Sequence, residues 1–191
     1  HKIDKDAEVG YSNSFIYFEA KNGFFLNGIL KNIADYFWNF WFLNKVRNHI
    51  DFVGCNYYSQ SLIGIGKTKN KPIEISDLGW VIHPEGIYNT LKRLNKYKKP
   101  IYITENGIAD ARDEKRAKFI KDHLLWMQKA IREGIDVRGY FYWSLLDNFE
   151  FPEVRGFWPR FGLVEVDYKT MKRKIRKSAL EYAEIIKENG L

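Results

Sequence analysis

The chain has 191 residues, of which 45% are hydrophobic and 17% aromatic, and its formal net charge is +7. A chain of this length and apolar content can bury a core that offsets the entropy of folding, which excludes a disordered protein. The charge raises nucleic acid or an anionic membrane surface as partners. The densest basic run, residues 169–177, is followed by Glu181, Glu184 and Glu188, which favours a solvated helix face. Because no nucleic-acid-binding motif accompanies this basic run, we expect no nucleic-acid partner.

The chain contains one cysteine, Cys55, so no disulfide can form within it. Cys55 lies in the apolar run 51–58, which predicts a buried strand thiol rather than a nucleophile. The most apolar stretch, residues 36–43, is too short to span a bilayer and is interrupted by Asn39. No signal-peptide pattern is visible at the N-terminus. We therefore expect a soluble, cytoplasmic protein with no membrane partner.

Four segments have the composition of β-strands, and each is bounded by Gly, Pro, Asn or charged residues. They are residues 8–18, 51–58, 100–104 and 137–145. The last is an almost continuous apolar run, which is typical of a strand buried on both faces of a parallel sheet.

Helical patterns fill the intervals between these strands. Residues 85–97 and 113–132 carry apolar side chains in steps of three and four, and Gly134 stands where the second helix should end. Residues 26–47 carry an aromatic stripe that we interpret as core packing. A last helix is predicted after Thr170 as a possible cap, with four residues buried: Ile175, Ala179, Tyr182 and Ile186. Residues 67–71 and 148–160 are predicted to be long, irregular loops.

The alternation of strand and helix predicts an α/β fold. Strand starts lie about 35 to 50 residues apart, a spacing that suits βα units with crossover helices. No linker divides the chain, so residues 1–191 are expected to form one unit. Four such units form either half of a barrel or a small open sheet, and the pattern alone leaves both open.

Three of the predicted strands end in polar or aromatic side chains, where parallel βα folds place their functional groups. The second strand ends in residues 56–59, the third in 104–107, and the fourth runs into 143–150. Glu105 directly follows an apolar strand, so its charge is costly unless donors meet it. A Glu at this position caps a helix, pairs with a basic neighbour or belongs to a functional site, and the local sequence favours none of these.

The segment Tyr102-Ile103-Thr104-Glu105-Asn106-Gly107 resembles the nucleophile motif of glycoside hydrolase family 1, the β-glucosidase and β-galactosidase family. Residues 51–59, 78–88, 139–149 and 160–168 resemble further segments of that family, in the same order and with similar spacing. Residues 35–43 fit its aromatic helix more loosely. The resemblance covers nearly the whole chain. It implies the second half, strands 5–8 with their helices, of a TIM (β/α)8 barrel.

The resemblance also implies site residues and a reaction, hydrolysis of β-O-glycosidic bonds with retention of configuration. Glu105 is expected to be the nucleophile and Tyr58 its hydrogen-bond donor. The residues expected to contact the sugar are Asn56 beside the carboxylate, Trp80 at the entrance, Trp143 as a stacking floor, and Glu150 as an acceptor of sugar hydroxyls.

Three departures from the family pattern accompany the match. Phe151 stands where the family usually has Trp, which keeps an apolar wall but removes an indole donor. The loop 151–159 is about two residues longer than usual. The Asn-Glu-Pro motif that carries the family's acid/base is missing, as are its first-half sugar ligands. His1-Lys2-Ile3 resembles the tail of the preceding helix, so the sequence is expected to begin in the middle of the barrel.

We expect no cofactor and no metal, because His49, His83 and His123 are isolated. The expected partners are a small β-glycoside or oligosaccharide and, through exposed edges at 8–18 and 137–145, a first-half barrel chain or a second copy. The alternative function is a non-catalytic sugar-binding or assembly module. A nucleic-acid binder is supported by charge alone.

Overall fold

The computed structural model of the chain describes residues 4–66, 74–151 and 155–190. Its centre is a four-stranded parallel sheet with the strands in chain order, which confirms the predicted α/β class. The strands are β1 (Gly10–Ala20), β2 (Phe52–Ile63), β3 (Ile101–Asn106) and β4 (Val137–Tyr142). Because β1 and β4 lie at the two ends of this order, each has one strand neighbour among the described residues.

Strand β4 ends at Tyr142, earlier than the predicted end at residue 145. Beyond Trp143 the backbone leaves β3 and pairs with a later segment. Ser144 N donates to Phe161 O at 3.4 Å, and Val164 N donates to Leu145 O at 2.9 Å. These bonds turn the chain out of the sheet just above the polar strand ends.

Helices connect the strands, as parallel pairing requires. They are α1 (Phe25–Asp35), a π-helical turn (Tyr36–Phe40), α2 (Trp41–Val46), α3 (Glu85–Leu94) with a 3-10 turn (Asn95–Tyr97), and α4 (Arg116–Arg132). The predicted helix 113–132 thus begins at Arg116. Gly134 follows α4 with a φ of +86°, a conformation that favours glycine, as predicted.

The core lies between the sheet and the helices α3 and α4, and it extends to Phe40 and Leu43 of the π-helical turn and α2. Its residues that are at most 1% exposed include the following from the sheet and α3: Val53, Cys55, Ile87, Leu91, Leu94, Ile101 and Ile103. The prediction that Cys55 is a buried strand thiol is confirmed, and its burial raises the pKa of that thiol.

The last helix was predicted to begin too early. Thr170 Oγ1 donates to Asp167 Oδ2 at 2.7 Å, and Lys169 N donates to Asp167 Oδ1 at 2.9 Å. This Asp-led turn joins two short antiparallel strands, β5 (Val164–Val166) and β6 (Arg173–Ile175), and α5 (Lys177–Glu188) follows.

The basic run 169–177 therefore forms a turn, a strand and the first residue of α5, so it is not a helix face as predicted, although all of its residues except Arg176 are exposed to solvent as expected. Ile175 and Ile186, predicted to be buried, are both 61% exposed. Ala179 and Tyr182 do pack against the cluster around Leu124 and Leu163.

The interpretation of the aromatic stripe as core packing is wrong for most of its residues. Phe40 and Leu43 are buried, together with Asn27, Asp35 and Asn39. The large apolar side chains on the other side of α1, the π-helical turn and α2 are 41–86% exposed: Phe25, Leu26, Ile29, Leu30, Ile33, Phe37, Trp38, Trp41 and Phe42. They are exposed because these helices lie over the edge strand β1, and no described element lies beyond it.

Two further points concern the predicted loops and the membrane. Residues 67–71 lie outside the described residues, as do 152–154 within the loop 148–160. Glu150 and Gly156 exchange backbone hydrogen bonds of 2.8 and 3.2 Å, so the described part of that loop contains an antiparallel bridge. Among the helices of the described residues, none is long and apolar enough to cross a bilayer.

Candidate active site

The site begins where strands β2 and β3 end side by side. Asn56 is the register partner of Glu105, and the register shifts just before this pair. Side chains of successive strand residues normally point to opposite faces. Here Thr104 contacts Asn56 and Glu105 contacts Tyr58, although Asn56 and Tyr58 share one face of β2. The irregular strand end thus brings both Thr104 and Glu105 to the same side of the sheet.

Glu105 is held by a phenol. The Tyr58 hydroxyl donates to Glu105 Oε2 at 2.6 Å. Burial raises the pKa of Tyr58 strongly, and the hydrogen bond to Glu105 and the charges of Glu105 and Glu150 raise it further. Tyr58 therefore remains a neutral donor at physiological pH. Glu105 Oε1 accepts no hydrogen bond from the described residues.

Below this pair, three polar side chains form a layer across the strands. Asn56 Oδ1 accepts hydrogen bonds from Thr104 Oγ1 at 2.6 Å and from Ser12 Oγ at 2.9 Å. Ser12 Oγ and Thr104 Oγ1 also lie 2.8 Å apart, so each of the three side chains is within hydrogen-bond distance of the other two. Asn56 Nδ2 donates to no described residue.

Gly107, just past the end of β3, is required because the backbone of Trp143 passes very close to it. A Cβ at Gly107 would lie 1.8 Å from the carbonyl oxygen of Trp143. Trp143 N in turn donates to Asn106 O at 2.9 Å. Gly107 therefore lets the end of β3 lie directly against the chain that leaves β4, so that Trp143 and Glu105 line the same pocket. The Trp143–Ser144 peptide bond is cis.

A second carboxylate, Glu150, is 9% exposed and accepts two hydrogen bonds on one oxygen. Trp143 Nε1 donates to Glu150 Oε1 at 3.3 Å, and Asn148 Nδ2 donates to the same oxygen at 3.0 Å. Glu150 Oε2 accepts none from the described residues, so this oxygen is available to a ligand.

These groups line one pocket of about 340 Å³, within the range of small-molecule sites. Trp80 packs edge-to-face on Tyr58, with ring centroids 5.6 Å apart, and Phe149 packs the same way on Phe151. Phe151 is 79% exposed. The pocket lining contains six of the seven predicted site residues and four others: Tyr58, Trp80, Glu105, Trp143, Glu150 and Phe151, with Ser14, Asn148, Phe149 and Phe161.

Asn56, the remaining predicted site residue, lies in the polar layer beneath the pocket rather than in its lining. Ser14 was missed because a single inward serine on an edge strand has no sequence signal. Phe161 lies in the resembling segment 160–168 but was assigned no role. Asn148 stood directly before Phe149-Glu150, and that adjacency is the signal that could have identified it.

The pocket combines apolar walls with two oriented carboxylates and few donors. Such a lining binds a compact ligand that has hydroxyls on its rim and apolar C–H faces, because aromatic rings stack on the faces and carboxylates accept from the hydroxyls. Within residues 4–66, 74–151 and 155–190, no group of three or more His, Cys, Asp or Glu side chains could hold a metal ion.

A parallel sheet of βα units with polar and carboxylate groups at the carboxyl ends of its strands is the arrangement in which barrel-type α/β proteins build their sites. The family model described as Glycosyl hydrolase family 1 matches residues 28–191, so the chain belongs to this family. This confirms the resemblance found in the sequence.

Two curated relatives are about equally similar. One is a β-galactosidase of Sulfolobus acidocaldarius, 40% identical over 76% of this chain and 33% of the relative. The other is β-glucosidase A of Thermotoga maritima, 41% identical over 78% of this chain and 37% of the relative. The chain therefore spans only part of the length of the curated relatives it matches.

Among solved structures, the β-glucosidase from Thermotoga maritima in complex with glucoimidazole superposes with a TM-score of 0.91 at 33% identity. The match covers 98% of this chain and 52% of that one. The expected fold is confirmed: the four βα units are part of a TIM (β/α)8 barrel.

Proposed function

We propose that this chain is the nucleophile-bearing part of a β-glucosidase-type enzyme, which hydrolyses β-O-glycosidic bonds by a retaining double displacement. The observation that carries the proposal is the 2.6 Å hydrogen bond from Tyr58 to Glu105 Oε2 at the carboxyl end of the sheet. Family membership and the relatives' names, β-glucosidase and β-galactosidase, support the class of substrate.

In the first step, Glu105 Oε1 attacks the anomeric carbon. A bond forms between that carbon and the carboxylate while the bond to the leaving oxygen breaks with its electron pair, and a general acid protonates the leaving oxygen. In the second step, water attacks the same carbon, gives its proton to the same group acting as a base, and releases Glu105. Two inversions at one carbon give net retention.

Tyr58 has a positioning role in this scheme. Because its phenol is neutral and occupies Oε2, it orients the carboxylate and leaves Oε1 to attack. Asn56 Nδ2 is the donor available to Glu105 or to the adjacent 2-hydroxyl, since Oδ1 is already engaged by Ser12 and Thr104.

The remaining predicted residues bind the substrate. Glu150 Oε2 accepts hydrogen bonds from sugar hydroxyls, and the Trp143 indole provides a stacking surface. Trp80 contacts the leaving group, and Phe151 provides an apolar wall without a donor.

A retaining mechanism needs a second carboxylate roughly 5 Å from the nucleophile as acid and base. Glu150 already serves as acceptor in this scheme, and the sequence contains no Asn-Glu-Pro segment. We propose that a first-half barrel unit, on a separate chain or linked to this one, supplies the acid/base.

Two surface features support this partner. Strands β1 and β4 each pair on one side only among the described residues, and in a closed barrel every strand pairs on both sides. Next to β1, the apolar side of α1, the π-helical turn and α2 is exposed, with Phe25 at 86% and Phe37 at 62%. Exposed apolar area of this extent marks an interface.

The chemical test is labelling by an activated 2-fluoro aryl β-glycoside, followed by mass spectrometry. An activated leaving group needs little acid assistance, so the nucleophile is tested without the missing acid. We expect a covalent adduct on Glu105 that is absent in Glu105→Gln. The matched control is Glu114→Gln, the same substitution at an exposed residue, which should label as the wild type does.

The labelling is run on the chain alone and after addition of the first half of the Thermotoga maritima relative. Absence of an adduct under both conditions would refute the nucleophile. If the chain then still binds glycosides, the alternative of a non-catalytic sugar-binding module is favoured, because Glu150 and its two donors lie entirely within this chain.

The partner is tested by analytical ultracentrifugation of the same mixture. We expect a one-to-one complex with the first half, and self-association of the chain alone. If the chain stays monomeric and does not bind the first half, the proposal of a half-barrel partner is contradicted.

A further inference from the structure

The two oxygens of the Glu150 carboxylate have different surroundings. Oε1 accepts hydrogen bonds from Asn148 Nδ2 at 3.0 Å and from Trp143 Nε1 at 3.3 Å, and Oε2 accepts none from the described residues. The two oxygens of a carboxylate are chemically equivalent, so the donors fix the orientation of the group: turning it out of this plane, at a side chain that is 9% exposed, would leave both donors without an acceptor. The donors therefore decide where the free oxygen is presented to a ligand.

Asn148 is itself fixed in orientation. Its Nδ2 donates to Phe149 O and to Glu150 Oε1, both at 3.0 Å, and its Oδ1 lies 2.9 Å from Ser144 Oγ. A flipped amide would put Oδ1 against two acceptors. This holds whether the single Ser144 hydrogen goes to Asn148 or to Leu146 O at 2.6 Å.

We propose that Asn148 is a positioning residue that determines which sugar hydroxyl the enzyme discriminates. It holds Oε1, so that Glu150 presents Oε2 to one hydroxyl position of the bound sugar. The proposal rests on the proposed function, since it assumes that a sugar occupies this pocket. Asn148 lies in the lining of the same pocket, so its donor acts within the site.

The informative variant is Asn148→Asp, which keeps the size of the side chain and its acceptor toward Ser144. It replaces the NH₂ donor by a carboxylate facing the Glu150 carboxylate, and two like charges at this separation repel each other. Asn148→Ala removes the donor without adding charge. Asn95→Asp in the 3-10 turn is the matched control outside the pocket.

The measurement is the affinity for glucoimidazole and for its monodeoxy analogues, each lacking one hydroxyl, by fluorescence of the pocket tryptophans. In the wild type, one hydroxyl position should matter most. Both Asn148 variants should lower the affinity for the parent compound about 10- to 100-fold, as expected for a hydrogen bond to a charged group. For the analogue that lacks the hydroxyl which matters most in the wild type, both Asn148 variants should also bind the parent compound and the analogue with nearly equal affinity.

A merely structural role gives a different result, because a distorted pocket lowers all affinities and leaves their ratios as in the wild type. Unchanged ratios in both Asn148 variants would overturn the positioning role while the Glu105 adduct still stands. If the wild type binds no glucoimidazole, alone or with a first half, and shows no adduct, this inference and the proposed function both fail.

Discussion

The helices on the outer side of the sheet form two layers with opposite exposure. The closed layer consists of α3 and α4, and its Ile87, Leu91 and Leu94 are fully buried. The open layer consists of α1, the π-helical turn and α2, where Phe25 is 86% and Ile33 50% exposed. Both layers carry apolar residues at helical spacing, so the pattern by itself does not decide burial.

What differs is the number of neighbours. Helix α3 packs on strands β1 and β2 and has α4 beside it. Helix α1 packs on β1 and β2 at the edge of the sheet, where the π-helical turn binds the strand's backbone: Trp38 Nε1 donates to Ser14 O, and Asn39 bonds both Ile16 N and Ile16 O. An apolar helix face is buried only where another element reaches it, and the predictions below test that contrast.

The largest expected effect comes from the same truncation in each layer. Leu91→Ala removes a fully buried side chain from the closed layer and should lower the free energy of unfolding by about 2–5 kcal/mol. Leu26→Ala, at a position 58% exposed in the open layer, should change it by less than about 0.5 kcal/mol.

Urea unfolding at low protein concentration measures both variants. A cost for Leu26→Ala that approaches that of Leu91→Ala would mean that the open layer is covered in the isolated chain. The contrast between the two layers would then be lost.

A pH effect is expected from the closed layer. His123 on α4 is fully buried, its Nδ1 lies 2.7 Å from Phe119 O, and burial lowers its pKa to about 4. An unfolded histidine titrates near 6.5. Between these two pH values the unfolded chain binds a proton at His123 that the folded chain excludes. The contribution of the neutral His123 to the free energy of unfolding is therefore fully present above about pH 6.5 and is lost as the pH falls to about 4. The loss is about 3 kcal/mol.

His123→Gln should remove that part of the pH dependence. Urea unfolding of wild type and variant between pH 7 and pH 4 provides the comparison. Curves that stay parallel across the window would show that His123 is accessible to protons in the folded chain, and that the closed layer is less closed than the contrast requires.

The smallest effect compares one hydroxyl of strand β2, which lies beneath the closed layer, with one of the open layer. The Tyr57 hydroxyl donates to His83 O at 2.8 Å and the side chain is 0% exposed, so Tyr57→Phe should cost about 1 kcal/mol. Tyr36 is 46% exposed, and its hydroxyl has no hydrogen bond to the described residues. Tyr36→Phe should therefore be neutral within about 0.5 kcal/mol. Thermal unfolding of both variants checks this, and equal shifts would argue against the contrast.

Much of the architecture could be predicted from the sequence. The four strands, the crossover helices and the buried position of Cys55 follow from apolar runs bounded by Gly, Pro and charge, because these are local requirements of strands and helices. The motif around Glu105 identified the family and directed attention to Tyr58, Trp143 and Glu150.

Other features depended on partners distant in sequence. Residues 164–175 form a hairpin because Asp167 accepts hydrogen bonds from Lys169 and Thr170 in the turn, whereas the local pattern favoured a helix from residue 171 onward. The aromatic stripe of the open layer is helical as predicted, but its burial depended on neighbours that the pattern does not specify.

The sequence by itself therefore determined the four strands of the sheet and the helices between them, since these follow from residue type and local spacing, and its motifs drew attention to Glu105 and Glu150. Only the tertiary structure decided that each of these carboxylates has one oxygen engaged and one free. Tyr58 occupies one oxygen of Glu105, and Asn148 with Trp143 occupies one oxygen of Glu150. The physical reason is that a hydrogen bond depends on the distance and direction between atoms, and the sheet brings these atoms together from separate strand ends.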